Sequence, residues 1–161
     1  MQLAIFLLIS LIVTPPAWGQ RNSHGIFFGW GAFSESAPRS CFAVAKPQGG
    51  VRPIGWQPFA SIAYRPGRVS GPQLHVRLSR EKRNGSALLL RIDGRSFQLA
   101  GGGANAWAPN PRADAAIVAA MRTGVEMRVE TRSTRGARVI DRYPLRGAAS
   151  AIDAAAIACV N

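Results

Sequence analysis

Acidic residues, lysine, histidine and cysteine are all scarce in this sequence, and each shortage narrows the chemistry available. Asp and Glu together number eight against 20 Lys and Arg, for a formal net charge of +12. Only Lys46 and Lys82 are lysines, so the positive charge is nearly all arginine. The planar guanidinium fork suits phosphate, sulfate and carboxylate groups. A GC-rich coding sequence gives the same arginine bias, but the charge attracts polyanions whatever its origin. Two histidines (His24, His75) and two cysteines (Cys41, Cys159), all far apart, do not make a zinc site. No metal and no cofactor are therefore expected. Gly101-Gly102-Gly103 lacks the Lys-Ser/Thr of a phosphate loop and the spacing of a dinucleotide loop. It is expected to be a flexible connection.

Long apolar runs are also absent, with one exception. Leu3 to Val13 is apolar but for Ser10, and Pro15-Pro16 and Ala17-Trp18-Gly19 follow. The small residues Ala17 and Gly19 fit a signal-peptidase site, with the cut before Gln20. The alternative, a membrane anchor, needs about 20 apolar residues. Residues 1–19 are thus expected to be a signal peptide, 20–28 a mobile tail, and 29–161 one β-rich domain with no transmembrane segment. No cysteine stands directly after the expected cut, so a lipoprotein anchor is not expected. In an exported protein Cys41 and Cys159 are expected to form a disulfide, the one intramolecular pairing two cysteines allow. Two separate buried thiols are the alternative.

What is present reads mainly as strand. Ser40 to Ala45 carries apolar residues on both faces, as a buried strand does. Phe59 to Tyr64 is a second strand. Leu74, Val76 and Leu78 alternate with His75, Arg77 and Ser79. Ala87–Ile92 and Arg95–Leu99 flank Asp93-Gly94, a hairpin signal. Asn110-Pro111 opens a helix with the stripe Ile117, Val118, Met121, and Gly124 stops it. A second hairpin places Val125, Met127 and Val129 opposite Val139, Tyr143 and Leu145, around Thr134-Arg135-Gly136. A last helix from about Ala148 to Cys159 turns Ala149, Ile152, Ala156 and Cys159 toward the sheet. The expected fold is mainly β (β-rich α+β): an antiparallel β-sandwich or partly rolled sheet with two packed helices, the second C-terminal.

Catalysis finds little material. Neither histidine has an Asp-Ser or a Cys partner close in sequence. Asp93 belongs to a turn, Asp114 to the positive end of a helix, and Glu126 and Glu130 lie beside arginines. No catalytic residue is expected; the alternative is a periplasmic hydrolase whose groups converge in space. Binding finds more. Arg128, Arg132, Arg138 and Arg142 share the outward positions of the second hairpin, with Arg135 at its tip. Arg77, Arg80, Lys82 and Arg83 form a second basic cluster. A solvated surface is the plainer reading of both. Trp30, Trp56 and Trp107 are expected to pack in the core rather than to form a ligand platform. Export argues against genomic nucleic acid as partner. An anionic envelope component or a host-surface partner fits better.

Several stretches also share an order with a known family. They are Phe28-Gly29-Trp30, Cys41-Phe42-Ala43-Val44-Ala45-Lys46-Pro47, and Gly85-Ser86 with Ile92-Asp93-Gly94 and Phe97. Ala106-Trp107, Asp114, Ala115 to Gly124 and Ser133-Thr134-Arg135-Gly136 come next. Asp141-Arg142-Tyr143-Pro144-Leu145-Arg146-Gly147 and the Ala-rich helix to Cys159 complete the set. From about Phe28 to Cys159 the chain resembles the invasion-associated locus B family of exported, mainly alphaproteobacterial proteins. The resemblance implies a signal peptide, a periplasmic or outer-membrane-associated location and no enzymatic activity. It carries over no functional residue. The function expected is that of an exported, non-enzymatic binding protein contributing to host-cell interaction or to the envelope.

Overall fold

The computed structural model describes residues 20–49, 55–67 and 71–160. The expected signal peptide lies outside them. The elements run β1 (Arg21–Phe27), β2 (Trp30–Ser36), β3 (Arg39–Ala45), β4 (Phe59–Tyr64), β5 (Gln73–Arg77), β6 (Leu89–Ile92) and β7 (Arg95–Gln98). Then come β8 (Ala100–Gly102), β9 (Asn105–Trp107), α1 (Pro111–Thr123), β10 (Glu126–Arg132), β11 (Arg138–Pro144) and α2 (Ala148–Val160). They build two antiparallel sheets, in the orders β1-β2-β3-β4-β5-β9-β8 and β11-β10-β6-β7. The mainly β fold with two helices, the second C-terminal, is the one the sequence predicts.

Strand alternation decides which side chains meet. Trp30, Ala32, Ala43, Ala45, Ala60, Ile62, Leu74, Val76 and Ala106 leave the inner face of the larger sheet. Leu90, Ile92, Met127, Val129 and Tyr143 leave that of the smaller. With Ile117 and Met121 of α1 and Ala148, Ala151, Ile152 and Ala155 of α2, they form one core. The small residues of α2 let it lie close over β1–β4. Its buried stripe is Ala148, Ala151, Ile152 and Ala155, with Cys159 one turn beyond. Ala149 and Ala156, expected on that stripe, sit on its flanks. Cys159 reaches Cys41 on β3 in a disulfide with a Cα–Cα distance of 5.6 Å, inside the usual range.

Three expectations need correcting. Residues 20–28 are not a tail. β1 pairs with β2 from Arg21↔Glu35 to Phe27↔Trp30, and the turn between them leaves Phe28 at φ 55°. The segment is too polar to read as a strand alone, but β2 offers it a ladder to complete. The triple glycine is not a free connection either. Gly101 and Gly102 pair with Ala106 and Asn105 in a short hairpin, and the Gly103 carbonyl accepts the Lys82 N–H at 2.8 Å. Val125 precedes β10 and is 76% exposed.

Local signals in the helix and hairpins hold. The Asn110 side chain accepts the Ala113 N–H at 2.9 Å, with Pro111 at the first helical position. Gly124 ends α1, though for reasons of packing. Its φ is −79°, and a methyl there would approach Ile92 Cγ2 to 2.5 Å. Asp93 takes the hairpin turn at φ 49°. Its carboxylate also accepts the Val125 and Glu126 N–H groups at 3.2–3.3 Å, tying the β6–β7 turn to the start of β10.

Candidate functional site

Both sheets give their inner faces to the core and keep outer faces of different chemistry. On the smaller sheet the register sets Arg128 opposite Arg142 and Arg132 opposite Arg138. The four predicted arginines therefore share one face. A fifth joins them: Arg91 on β6 lies opposite Arg128, making a row Arg91–Arg128–Arg142 across three strands. Sequence reading missed Arg91, although its place between the inward Leu90 and Ile92 signals the outward face.

Like charges set directly across a sheet repel. Two carboxylates relieve the repulsion. Glu126 holds Arg128 Nε at 3.1 Å and Arg142 Nη1 at 3.2 Å. Glu130 holds Arg138 Nη2 at 3.1 Å and Arg91 Nε at 3.7 Å. Arg132 donates to the Gly136 carbonyl at 3.2 Å. Five guanidiniums against two carboxylates leave an excess of three positive charges on this face. Each guanidinium has five N–H donors. These contacts use one or two of them, leaving donors for phosphate, sulfate or carboxylate oxygens.

The second basic cluster does not assemble. Lys82 is buried, its Nζ donating to the Arg83 carbonyl at 3.1 Å. Arg77 turns to the outer face of the larger sheet, its guanidinium 4.8 Å from the centre of the Trp56 ring. Arg80 and Arg135 line a cleft of about 460 Å³ with Trp56, Glu81 and Ser133.

The outer face of the larger sheet is aromatic. Phe33 lies 5.9 Å from Phe42, and His75 stacks on Trp107 at 5.2 Å with planes 7° apart. Phe59 meets His75 edge-on at 5.2 Å. Ile26, Gly31, Val44, Ser61, His75 and Trp107 form one cross-strand row. The three tryptophans thus divide. Trp30 is fully buried and donates to the Pro144 carbonyl at 2.8 Å. Trp56 is half-buried, and Trp107 is 45% exposed on this face.

Groups of the kind a hydrolase uses come near one another here. Ser61, His75 and Asp114 line one cavity of about 270 Å³. Their hydrogen bonds do not form a relay. The Ser61 hydroxyl donates to the His75 backbone carbonyl at 3.4 Å, and His75 Nε2 bonds to Asn105 Oδ1 at 2.9 Å. Asp114 accepts the Leu74 N–H at 2.7 Å, so it anchors α1 to β5. Burial raises the Asp114 carboxyl above its ordinary range, against the lowering effect of the Leu74 bond. His24 bonds to Ser34 at 2.7 Å, away from this cavity's lining. Among the described residues no group of three His, Cys, Asp or Glu stands ready to hold a metal ion. No helix of the described chain is long and apolar enough to cross a membrane. The chain matches no family model, no curated protein and no solved structure.

Proposed function

We propose that this is an exported, non-catalytic binding protein of the invasion-associated locus B type, with an anionic envelope or host-surface component as its partner. The carrying observation is the arginine ladder: Arg91, Arg128 and Arg142 in one row, with Arg132 and Arg138 opposite each other beyond it. Such rows are costly unless a purpose or a counter-charge maintains them, and the two glutamates neutralise only part of this one. The spacing of forks across adjacent strands suits a repeating anion better than a lone carboxylate. The Cys41–Cys159 disulfide supports export, since such bonds persist in oxidising compartments.

The test is titration of heparin and of lipopolysaccharide against the oxidised protein and a variant with Arg128, Arg132, Arg138 and Arg142 all changed to Gln. The variant should bind about tenfold more weakly or worse at low salt, since charge-assisted hydrogen bonds are lost, Glu126 loses both its arginines and Glu130 keeps only Arg91. Ester or peptide hydrolysis by the wild type that disappears in His75→Ala would replace this reading with the hydrolase one.

A further inference from the structure

The outer face of the larger sheet carries a second surface that the arginine ladder does not explain. Near the β1–β2 turn, Ile26, Phe28, Phe33, Val44 and Phe59 line a cleft of about 500 Å³. That volume is in the range of ligand sites. Ile26 and Phe28 are 65% and 66% exposed, large apolar side chains side by side in water. Gly31 makes the floor. A methyl there would come within 2.6 Å of the Phe33 ring and 2.9 Å of Ile26 Cδ1, so the glycine lets both side chains fold over the sheet.

Among the described residues the polar side chains of the cleft are Lys46, Gln48 and Gln57. Among the described residues no carboxylate lines the cleft, and Lys46 makes no ion pair. A second cation stands at the rim, the Arg146 guanidinium 3.8 Å from the centre of the Phe28 ring. The arrangement is an apolar trough with positive charge at one side. The next cleft along the sheet shares Val44 and Phe59 but adds Arg21, Glu35, Ser40, Ser61, Arg65 and His75, so the apolar wall ends at Val44 and Phe59. A glycan would ask for hydrogen-bond partners along its whole length, and this wall does not supply them. A chain of methylenes would not, and an anionic head at its end would meet Lys46.

We propose that this cleft takes the acyl chain of an anionic lipid presented at a membrane surface, with Lys46 facing the headgroup. The arginine ladder lies on the other sheet and meets this cleft where the Gln48 N–H donates to the Arg142 carbonyl at 2.8 Å. The experiment is sedimentation of the purified, oxidised protein with vesicles of phosphatidylglycerol and phosphatidylcholine, against vesicles of phosphatidylcholine alone. The variants are Ile26→Ser with Phe28→Ser, Lys46→Glu, and the quadruple Arg→Gln protein. Both serines replace exposed residues, and an unchanged melting temperature confirms that the fold is intact.

Binding to the anionic vesicles should fall about tenfold in the double serine variant, at low and at high salt, because the lost contribution is apolar burial. Lys46→Glu should weaken binding at low salt and much less at high salt, where charge is screened. Wild-type affinity in the double serine variant would overturn the proposal, as would absence of wild-type binding to anionic vesicles. Loss confined to the quadruple variant would overturn it too, while supporting the ladder as the anion site.

Discussion

Asp114 shows how one side chain can be legible in kind and misread in role. Its place in the first turn of α1 predicts a carboxylate serving the helix dipole. It also reaches across to the Leu74 N–H of β5 and is buried in doing so. Burial raises its pKa, so Asp114 holds its proton more tightly folded than unfolded. Its contribution to stability is complete below the unfolded carboxylate pKa and is lost as pH rises through the folded one. Asp114→Asn keeps an oxygen for Leu74 and removes the buried charge. The melting temperature of this variant minus that of the wild type should therefore rise as pH climbs above the ordinary carboxylate range. A difference that stays constant with pH would show that ionised Asp114 costs the fold nothing. Gly124 is a second such residue. Gly124→Ala should destabilise the protein by about 1–3 kcal/mol in urea unfolding, because Ile92 must move to admit the methyl.

At the scale of elements, periodicity and turn chemistry predict the β10–β11 hairpin, the β6–β7 hairpin, β5, α1 and α2. Each has its own alternation, cap or turn residues, so no distant partner is needed to recognise it. β1 and β8 were illegible for the opposite reason. Arg21–Phe27 and Ala100–Gly102 have little apolar pattern, and their strand form comes from hydrogen bonds that neighbours offer. The four predicted arginines were legible because outward positions follow from period two. Their neutralisation by Glu126 and Glu130 was foreseeable from the same alternation, while the alignment with Arg91 needed the register of β6 on β10. The aromatic face was illegible because its residues come from six different strands. α2 depends on one covalent tie as well as on packing. The Cys41–Cys159 bond closes a loop of 118 residues, for which loop-closure entropy gives about 5 kcal/mol. Cys41→Ser with Cys159→Ser should thus lower the melting temperature by roughly 10–20 °C. A shift of a degree or two would show that α2 is held by its alanine packing alone.

The whole molecule is a sandwich whose two outer faces differ: guanidiniums on the smaller sheet, aromatic and aliphatic side chains on the larger. The inner faces are spent on a single core, so both outer surfaces are free to differ without cost to the fold. The central claim is that the guanidinium face binds anions. The most direct measurement is heparin affinity across a salt series, for the wild type and the quadruple Arg→Gln variant together. The screening length falls from about 10 Å at 0.1 M to about 3 Å at 1 M salt. Wild-type affinity should therefore fall steeply with salt, the variant should start weaker and fall less, and the two should converge near 1 M. Coincident curves at every salt concentration would contradict the claim and leave the arginine ladder a solvated surface.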